Sequence, residues 1–239
     1  MEDNNKNNVK IIKIIKREIE KDEKNLKALI DMGNIYYQIK DYNESLKYYE
    51  KVLSYDQKNY VAKINISNIY SKLKKYHLVE KILKECIEIS PEKNYAYFNL
   101  ANNYKNIGKL ELAKQYYIKA IKAKPDHTEA AYNLAEIYYV EKKYKNTISL
   151  GEQIIKINNR IDCHMLMAMT YKKIGNSAEA KKYFSNCIKF RVSTIREKRM
   201  QSTAYYEMGE WAIAFDRCKE PISLPSEIHE ELCSEKKGI

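Results

Sequence analysis

The sequence predicts an all-α solenoid, and three observations carry that reading. One tyrosine returns at a nearly fixed interval, as Tyr36, Tyr70, Tyr104, Tyr138, Tyr171 and Tyr205, with gaps of 34, 34, 34, 33 and 34 residues. A period of this size marks stacked supersecondary units, none of which can bury its apolar face by itself. A small residue precedes each tyrosine by three positions: Gly33, Ser67, Ala101, Ala135, Ala168 and Ser202. The composition, 44% hydrophobic and 31% charged with 6 Gly and 4 Pro in 239 residues, is too apolar for disorder and too poor in turn formers for a β-sandwich or barrel. Apolar spacing of i, i+3, i+4 runs through most of the chain, as helices require. A solenoid presents surface for holding other molecules, so the chain reads first as a binding scaffold.

The elements follow in order. Residues 1–8 (MEDNNKNN) are polar and are expected to be disordered. Residues 9–25 are expected to form an N-terminal capping helix. Val9, Ile11, Ile12, Ile15 and Ile19 line one side of it, with Lys10, Lys13, Lys16, Arg17 and Lys21 around the rest. Such a helix covers the first repeat; a basic amphipathic helix can equally bind a membrane surface or a partner. Six repeats then occupy 26–59, 60–93, 94–127, 128–160, 161–194 and 195–220. Gly108, Gly175 and Gly209 stand at the turn inside their repeats, where a left-handed residue ends a helix most easily. Pro91 and Pro125 stop the second helix of theirs. The lysines at the other turns, Lys74 and Lys142, are expected to tolerate substitution. Residues 221–239 are expected to form a C-terminal capping helix and tail. There Ser226 is an N-cap, Glu227, Glu230 and Glu231 lie in the early turns, and Lys236 and Lys237 lie at the end.

The third repeat is the sharpest. Tyr97, Leu100, Ala101, Tyr104, Gly108, Ala113, Tyr117, Ala120 and Pro125 occupy its positions 4, 7, 8, 11, 15, 20, 24, 27 and 32. This set resembles the tetratricopeptide repeat, and the resemblance covers residues 26–220. It implies that each repeat is an antiparallel pair of helices, A and B, and that the stack is a right-handed superhelix of about fourteen helices with both caps. It also implies that the A helices line a concave groove. Position 8 is small because helix A crosses its own helix B closely there, and positions 20 and 27 supply the matching surface. Two repeats depart from the pattern. The fourth has Thr147 and Gly151 where Ala and an aromatic are expected, which predicts a looser pair or a change of pitch. The sixth has Lys198 and Gln201 at usually apolar positions and Pro221 within its second helix, as a worn terminal unit would.

Nothing in the sequence assembles a catalytic constellation, and no enzyme activity is expected. The histidines His77, His127, His164 and His229 lie in different units, and no phosphate-binding or nucleophile-elbow glycine motif is present. No cofactor and no metal are expected. The five cysteines are odd in number and show no C-x-x-C spacing, so reduced thiols in a cytoplasmic setting are expected. The start of the chain reads as neither a signal peptide nor a membrane span. The formal charge of +11 fits a nucleic-acid surface, but also a lysine-rich codon bias, because Lys far outnumbers the bidentate Arg.

In the resembled family, helix-A positions 2, 5, 6, 9, 12 and 13 face the groove. Position 6 holds Asn65, Asn99 and Asn133, and position 9 holds Asn34, Asn68 and Asn102. An Asn amide can donate to one main-chain carbonyl and accept from one N–H, so a ladder of them can grip an extended peptide. The arrangement looks like the asparagine ladder of O-linked N-acetylglucosamine transferases, although asparagine is abundant here in any case. Tyr37, Phe98, Tyr132 and Tyr139 are expected beside the amides, with Ile64, Tyr95, Met165 and Met169. A carboxylate clamp of the chaperone-adaptor type is excluded. At its positions stand Ile30, Asn34, Asn65, Tyr95 and Asn99, with the asparagines present and all three cations missing. The expected function is a protein-interaction scaffold holding an extended partner segment. The alternatives are an RNA or polyanion binder, for which Arg196 and Arg199 form the basic patch, and a regulatory subunit of an enzyme on another chain.

Overall fold

The computed structural model describes residues 2–210 together with 213 and 214, and these contain twelve α-helices and no strand. Contacts divide the chain into two compact units, Met1–Pro125 and Asp126–Ile239. Among the described residues no helix is long and apolar enough to cross a membrane.

The first unit begins with α1 (Glu2–Lys21), which no Gly or Pro interrupts. The backbone is therefore helical from Glu2, where polar composition predicts disorder to residue 8. Ile12, Ile15 and Ile19 of α1 pack against α2 (Leu26–Gln38) through Ala28, Met32 and Ile35. Three antiparallel pairs follow: α2 with α3 (Tyr42–Tyr55), α4 (Tyr60–Lys72) with α5 (Tyr76–Ile89), and α6 (Asn94–Asn106) with α7 (Leu110–Ala123). The second unit contains α8 (Thr128–Val140) with α9 (Tyr144–Ile157), then α10 (Ile161–Lys173) with α11 (Ser177–Lys189), then α12 (Ile195–Glu207). The second helix expected in the sixth repeat and the segment 221–239 lie outside the described residues, as do Trp211, Cys218, His229 and Cys233.

The residue types of the repeat have direct physical roles. In three repeats the recurring tyrosine packs on a helix-B tyrosine twelve residues later, stacked in the first and fifth and tilted in the third. Tyr36 meets Tyr48 with centroids 5.5 Å apart, Tyr104 meets Tyr116 at 5.5 Å, and Tyr171 meets Tyr183 at 5.5 Å. At the crossing, Ala101, Ala135 and Ala168 have no accessible surface. A Cβ added to Gly33 would lie 2.5 Å from the Tyr49 ring. The bare carbonyl of Gly33 accepts a hydrogen bond from the Ser45 hydroxyl at 2.7 Å, which ties helix A to helix B at the crossing.

Caps set the helix starts. Asn25 accepts from the Ala28 N–H at 3.0 Å and Asn59 from the Ala62 N–H at 3.0 Å. Asp41 and Asn176 cap α3 and α11 in the same way, and Thr194 with Glu197 forms a reciprocal capping box on α12. Position 15 is left-handed in every repeat: Lys40 (φ 66°), Lys74 (56°), Gly108 (78°), Lys142 (59°), Gly175 (80°) and Gly209 (83°). Three lysines therefore sit where glycine is cheapest, and the tolerance expected of Lys74 and Lys142 is corrected: what may replace them depends on φ.

Two departures in the sequence prove to be substitutions of one contact for another. Gly151 leaves room where an aromatic is usual, and Met167 of the next A helix fills it. A Cβ on Gly151 would lie 2.2 Å from Met167 Sδ, so the gap is packed, not loosened. Gln201, 1% exposed, replaces an apolar residue because its Nε2 donates to the carbonyls of Ile188 and Phe190 at 2.8 and 2.6 Å, with the Cys187 carbonyl sharing a hydrogen at 3.3 Å. It satisfies the otherwise unpaired C-terminal end of α11. Cys86, Cys163 and Cys187 are buried free thiols, and burial pushes them up to about 11, 12 and 12. They pack as small apolar groups.

Two stability outcomes follow. Gly33→Ala should destabilise by about 1–3 kcal/mol, because the obstacle is a packed ring, despite the better helix propensity of Ala. Gly151→Ala should be close to neutral, since a thioether can move aside. Equal shifts in thermal midpoint would contradict this account of the two crossings. Separately, Lys74→Gly or Lys142→Gly should stabilise by about 0.5–1 kcal/mol by removing left-handed strain, and Lys74→Val should destabilise. Denaturant titration of the three variants reads the signs.

Candidate functional site

The site is built by A helices lying side by side in the first unit. Helices α2, α4 and α6 are in register, so position 9 of one repeat faces position 6 of the next. Asn65 Nδ2 donates to Asn34 Oδ1 at 3.1 Å, and Asn99 Nδ2 donates to Asn68 Oδ1 at 3.1 Å. Helix B adds a second donor: Tyr49 OH reaches Asn34 Oδ1 at 2.7 Å, and Tyr117 OH reaches Asn102 Oδ1 at 2.6 Å. Burial pushes the Tyr49 hydroxyl up to about 12, so it remains a donor at any physiological pH.

The donor inventory is then specific. Both lone pairs of Asn34 Oδ1 are occupied, and what it offers outward is the Nδ2 group. Asn65 gives one N–H to Asn34 and keeps the other, together with its Oδ1. Asn68 and Asn99 repeat the pairing without a helix-B hydroxyl, because Leu83 stands where Tyr49 and Tyr117 stand. The amides are half-buried and line two adjoining hollows. One, of about 350 Å³, is bounded by Asn34, Tyr37, Gln38, Tyr49, Asn65 and Asn68. The other, of about 230 Å³, is bounded by Tyr37, Asn68, Ser71, Lys72, Asn99 and Asn102 among others. Tyr37 belongs to both, and its ring is held 5.7 Å from that of Tyr42.

The structure thus brings together Asn34, Asn65, Asn68, Asn99, Asn102 and Tyr37. Phe98 is half-buried with its ring 6.1 Å from Tyr117, and Tyr95 on the same helix is 57% exposed. Asn133, Tyr132 and Tyr139 lie on α8 of the second unit. Tyr132 is only 9% exposed, and the Arg160 guanidinium lies 5.4 Å from its ring centroid. Arg160 itself is held by Asp162 through two hydrogen bonds of 3.0 and 2.6 Å. Tyr139 is half-buried, 6.0 Å from Tyr144.

Sequence reasoning missed Gln38, Ser71 and Lys72 on the rim, and the hydroxyls of Tyr49 and Tyr117. A signal for the hydroxyls was present: an Asn and a Tyr fifteen residues apart, in the first and third repeats. The described histidines with resolved contacts are structural. His127 Nδ1 accepts the Ala130 N–H at 3.4 Å as a cap. His164, 5% exposed, packs against Tyr183 and Phe190, bonds Asn159 at 2.6 Å, and is shifted down by burial.

Residues 26–59, 60–93, 95–127 and 161–191 match the tetratricopeptide repeat, together more than half of the sequence. The chain belongs to the tetratricopeptide repeat family. Such repeats are protein-interaction scaffolds, and enzymatic roles are not general among them. The unmatched stretches include the fourth and sixth repeats, where Gly151 and Gln201 break the pattern. No curated protein sequence matches the chain. Among solved structures, the chain is similar to pilF of Pseudomonas aeruginosa (TM-score 0.70, 16% identity, 84% of this chain and 91% of that one). It is also similar to a tetratricopeptide repeat protein from Parabacteroides merdae (0.64, 18%, 91% and 88%). A third is YrrB, described as having an unusual peptide-binding site (0.58, 16%, 86% and 97%). At these identities the likeness concerns the fold.

The helix-B hydroxyls can be tested by removal. Tyr49→Phe should cost about 0.5–1.5 kcal/mol of stability by leaving one lone pair of Asn34 to water. Tyr37→Phe should cost less, because no hydrogen bond to its hydroxyl is formed among the described residues. Thermal melts of the two variants compare them directly.

Proposed function

We propose that the chain is an adaptor whose first unit binds an extended segment of a partner protein across α2, α4 and α6. The carrying observation is the pre-aligned amide ladder, Asn34 to Asn65 and Asn68 to Asn99, with its outward donors fixed by inward bonds. Side chains so restrained lose little entropy on binding, which favours recognition of a regular main chain over any one residue sequence. The hollows beside Tyr37 take side chains of moderate size, and the exposed ring of Tyr95 offers apolar contact at the far end. The peptide-binding site described for YrrB, a protein of similar fold, is in keeping with this use. No acid or base is placed for chemistry along the ladder, which suits a holding role.

The test uses a peptide selected from a display library on the wild-type protein, with affinity measured by calorimetry. Asn65→Ala/Asn99→Ala removes two ladder amides yet leaves Asn34 bonded to Tyr49, so the fold should persist. At about 0.5–1.5 kcal/mol for each lost hydrogen bond, affinity should fall at least about five-fold. A selected peptide that binds the double variant as tightly as wild type would show that the ladder does not contact ligand.

A further inference from the structure

Within the second unit, α10 and α12 carry different chemistry at the same positions. The register that brings Asn34 to Asn65 in the first unit sets Met169 of α10 opposite Met200 of α12. The same two helices are tied by Lys172 Nζ, which bonds Glu207 at 2.6 Å. Met165 lies one turn before Met169 on α10. All three methionines are half-buried against the core formed by Ala168, Phe184 and Ala204. A hollow of about 380 Å³ opens between the starts of α10 and α12, with Ile161, Phe190, Arg196 and Met200 in its wall. Ile195, beside it, is 61% exposed. Methionine suits a surface that must adapt to apolar side chains, because it is unbranched and polarizable.

Charge then selects the partner. The acids of this face are already engaged: Asp162 by Arg160, Glu207 by Lys172, and Glu197 by the N–H groups of Ser193 and Thr194. Arg196 and Arg199 are exposed, and neither forms an ion pair among the described residues. Apolar surface carrying two uncompensated cations complements a segment with the opposite pattern.

We infer that the α10–α12 face of the second unit docks an acidic amphipathic segment of a partner protein, apolar side chains on Met165, Met169 and Met200 and carboxylates on Arg196 and Arg199. This is a site separate from the amide ladder, and it stands whether or not the ladder binds peptide. A nucleic acid would use the arginines but has no use for the methionines, and that difference is what an experiment can read.

The probe is a fluorescein-labelled peptide of about sixteen residues with Leu on one helical face and Glu on the other, long enough to fold when bound. Its comparators are the same peptide with Lys for Glu, and a labelled oligouridylate of equal charge. Fluorescence anisotropy should show saturable binding of the Glu peptide only. Arg196→Glu/Arg199→Glu, both exposed and therefore safe for the fold, should weaken it about ten-fold or more. Met165→Gln/Met169→Gln should also weaken it, while Asn65→Ala/Asn99→Ala should leave it unchanged. The inference is overturned if the Lys peptide binds as well as the Glu peptide. It is equally overturned if the oligouridylate binds more tightly and loses affinity only with the arginines, which would mark a polyanion site.

Discussion

The close crossing of helix A over helix B is the constraint on which the remaining structure depends. At position 8 the side chain is absent in Gly33, a methyl group in Ala101, Ala135 and Ala168, and a hydroxymethyl in Ser67 and Ser202. Because nothing larger stands there, a full aromatic such as Tyr49 or Tyr117 can lie flat beneath the A helix and be wholly buried. The crossing also explains why a buried hydroxyl is useful. With the backbones so near, Ser45 can reach the carbonyl of Gly33, and an otherwise costly polar group is satisfied. Apolar burial supplies the driving force, but the small residue decides that two helices share one core instead of sliding past each other.

The same proximity shapes the groove. Tyr49 is long enough to pass under α2 and present its hydroxyl on the far side, at Asn34. A core residue thereby fixes the orientation of a surface amide. Ladder and core are in this sense one structure: the ring fills the crossing and its oxygen aligns the amide. In the second repeat Leu83 fills the crossing without an oxygen, so Asn68 is oriented only by its neighbour Asn99. The ladder is thus held most firmly where the repeat carries Tyr at position 24, so the rigidity of a surface amide varies with a residue of the helix-B core.

Much of the fold was legible in the sequence because the repeat writes its contacts in residue types. A tyrosine that must pack on Tyr48, Tyr116 or Tyr183 and a small residue that must be crossed both recur at fixed spacing. What escaped was whatever depends on a pair instead of a position. Lys40, Lys74 and Lys142 give no sign of a left-handed backbone, since the turn, not the lysine, imposes it. Gln201 looked like decay of an apolar position because its value lies in the carbonyls of Cys187, Ile188 and Phe190, which no periodicity reports. The cation beside Tyr132 is of the same kind: Arg160 reaches the ring from the short link before α10 and is held by Asp162, a pairing that no periodicity reports. For the site itself, the amide positions could be read from the register. Their pairing, Nδ2 of one amide on Oδ1 of the amide in the preceding repeat, could not, because it depends on how neighbouring A helices lie side by side.

The two units show how a repeat separates scaffold from specificity. Positions 8, 11, 20 and 27 must satisfy the crossing, so they change little in size between the units. Positions 6 and 9 lie outside the crossing, so they are freer to change in kind. From Asn34 to Asn133 they are mainly amides; from α10 onward they become Leu166, Met169, Met200 and Thr203. An amide pair and a methionine pair occupy the same register because both are flexible at their tips and neither branches at Cβ. Their consequences differ. Amides that bond each other hold a fixed array of donors, suited to a ligand with its own regular array. Thioethers hold no direction and adapt to whatever apolar shape is offered. The repeat can therefore alter the chemistry of its surface at these positions without disturbing the packing of the crossing.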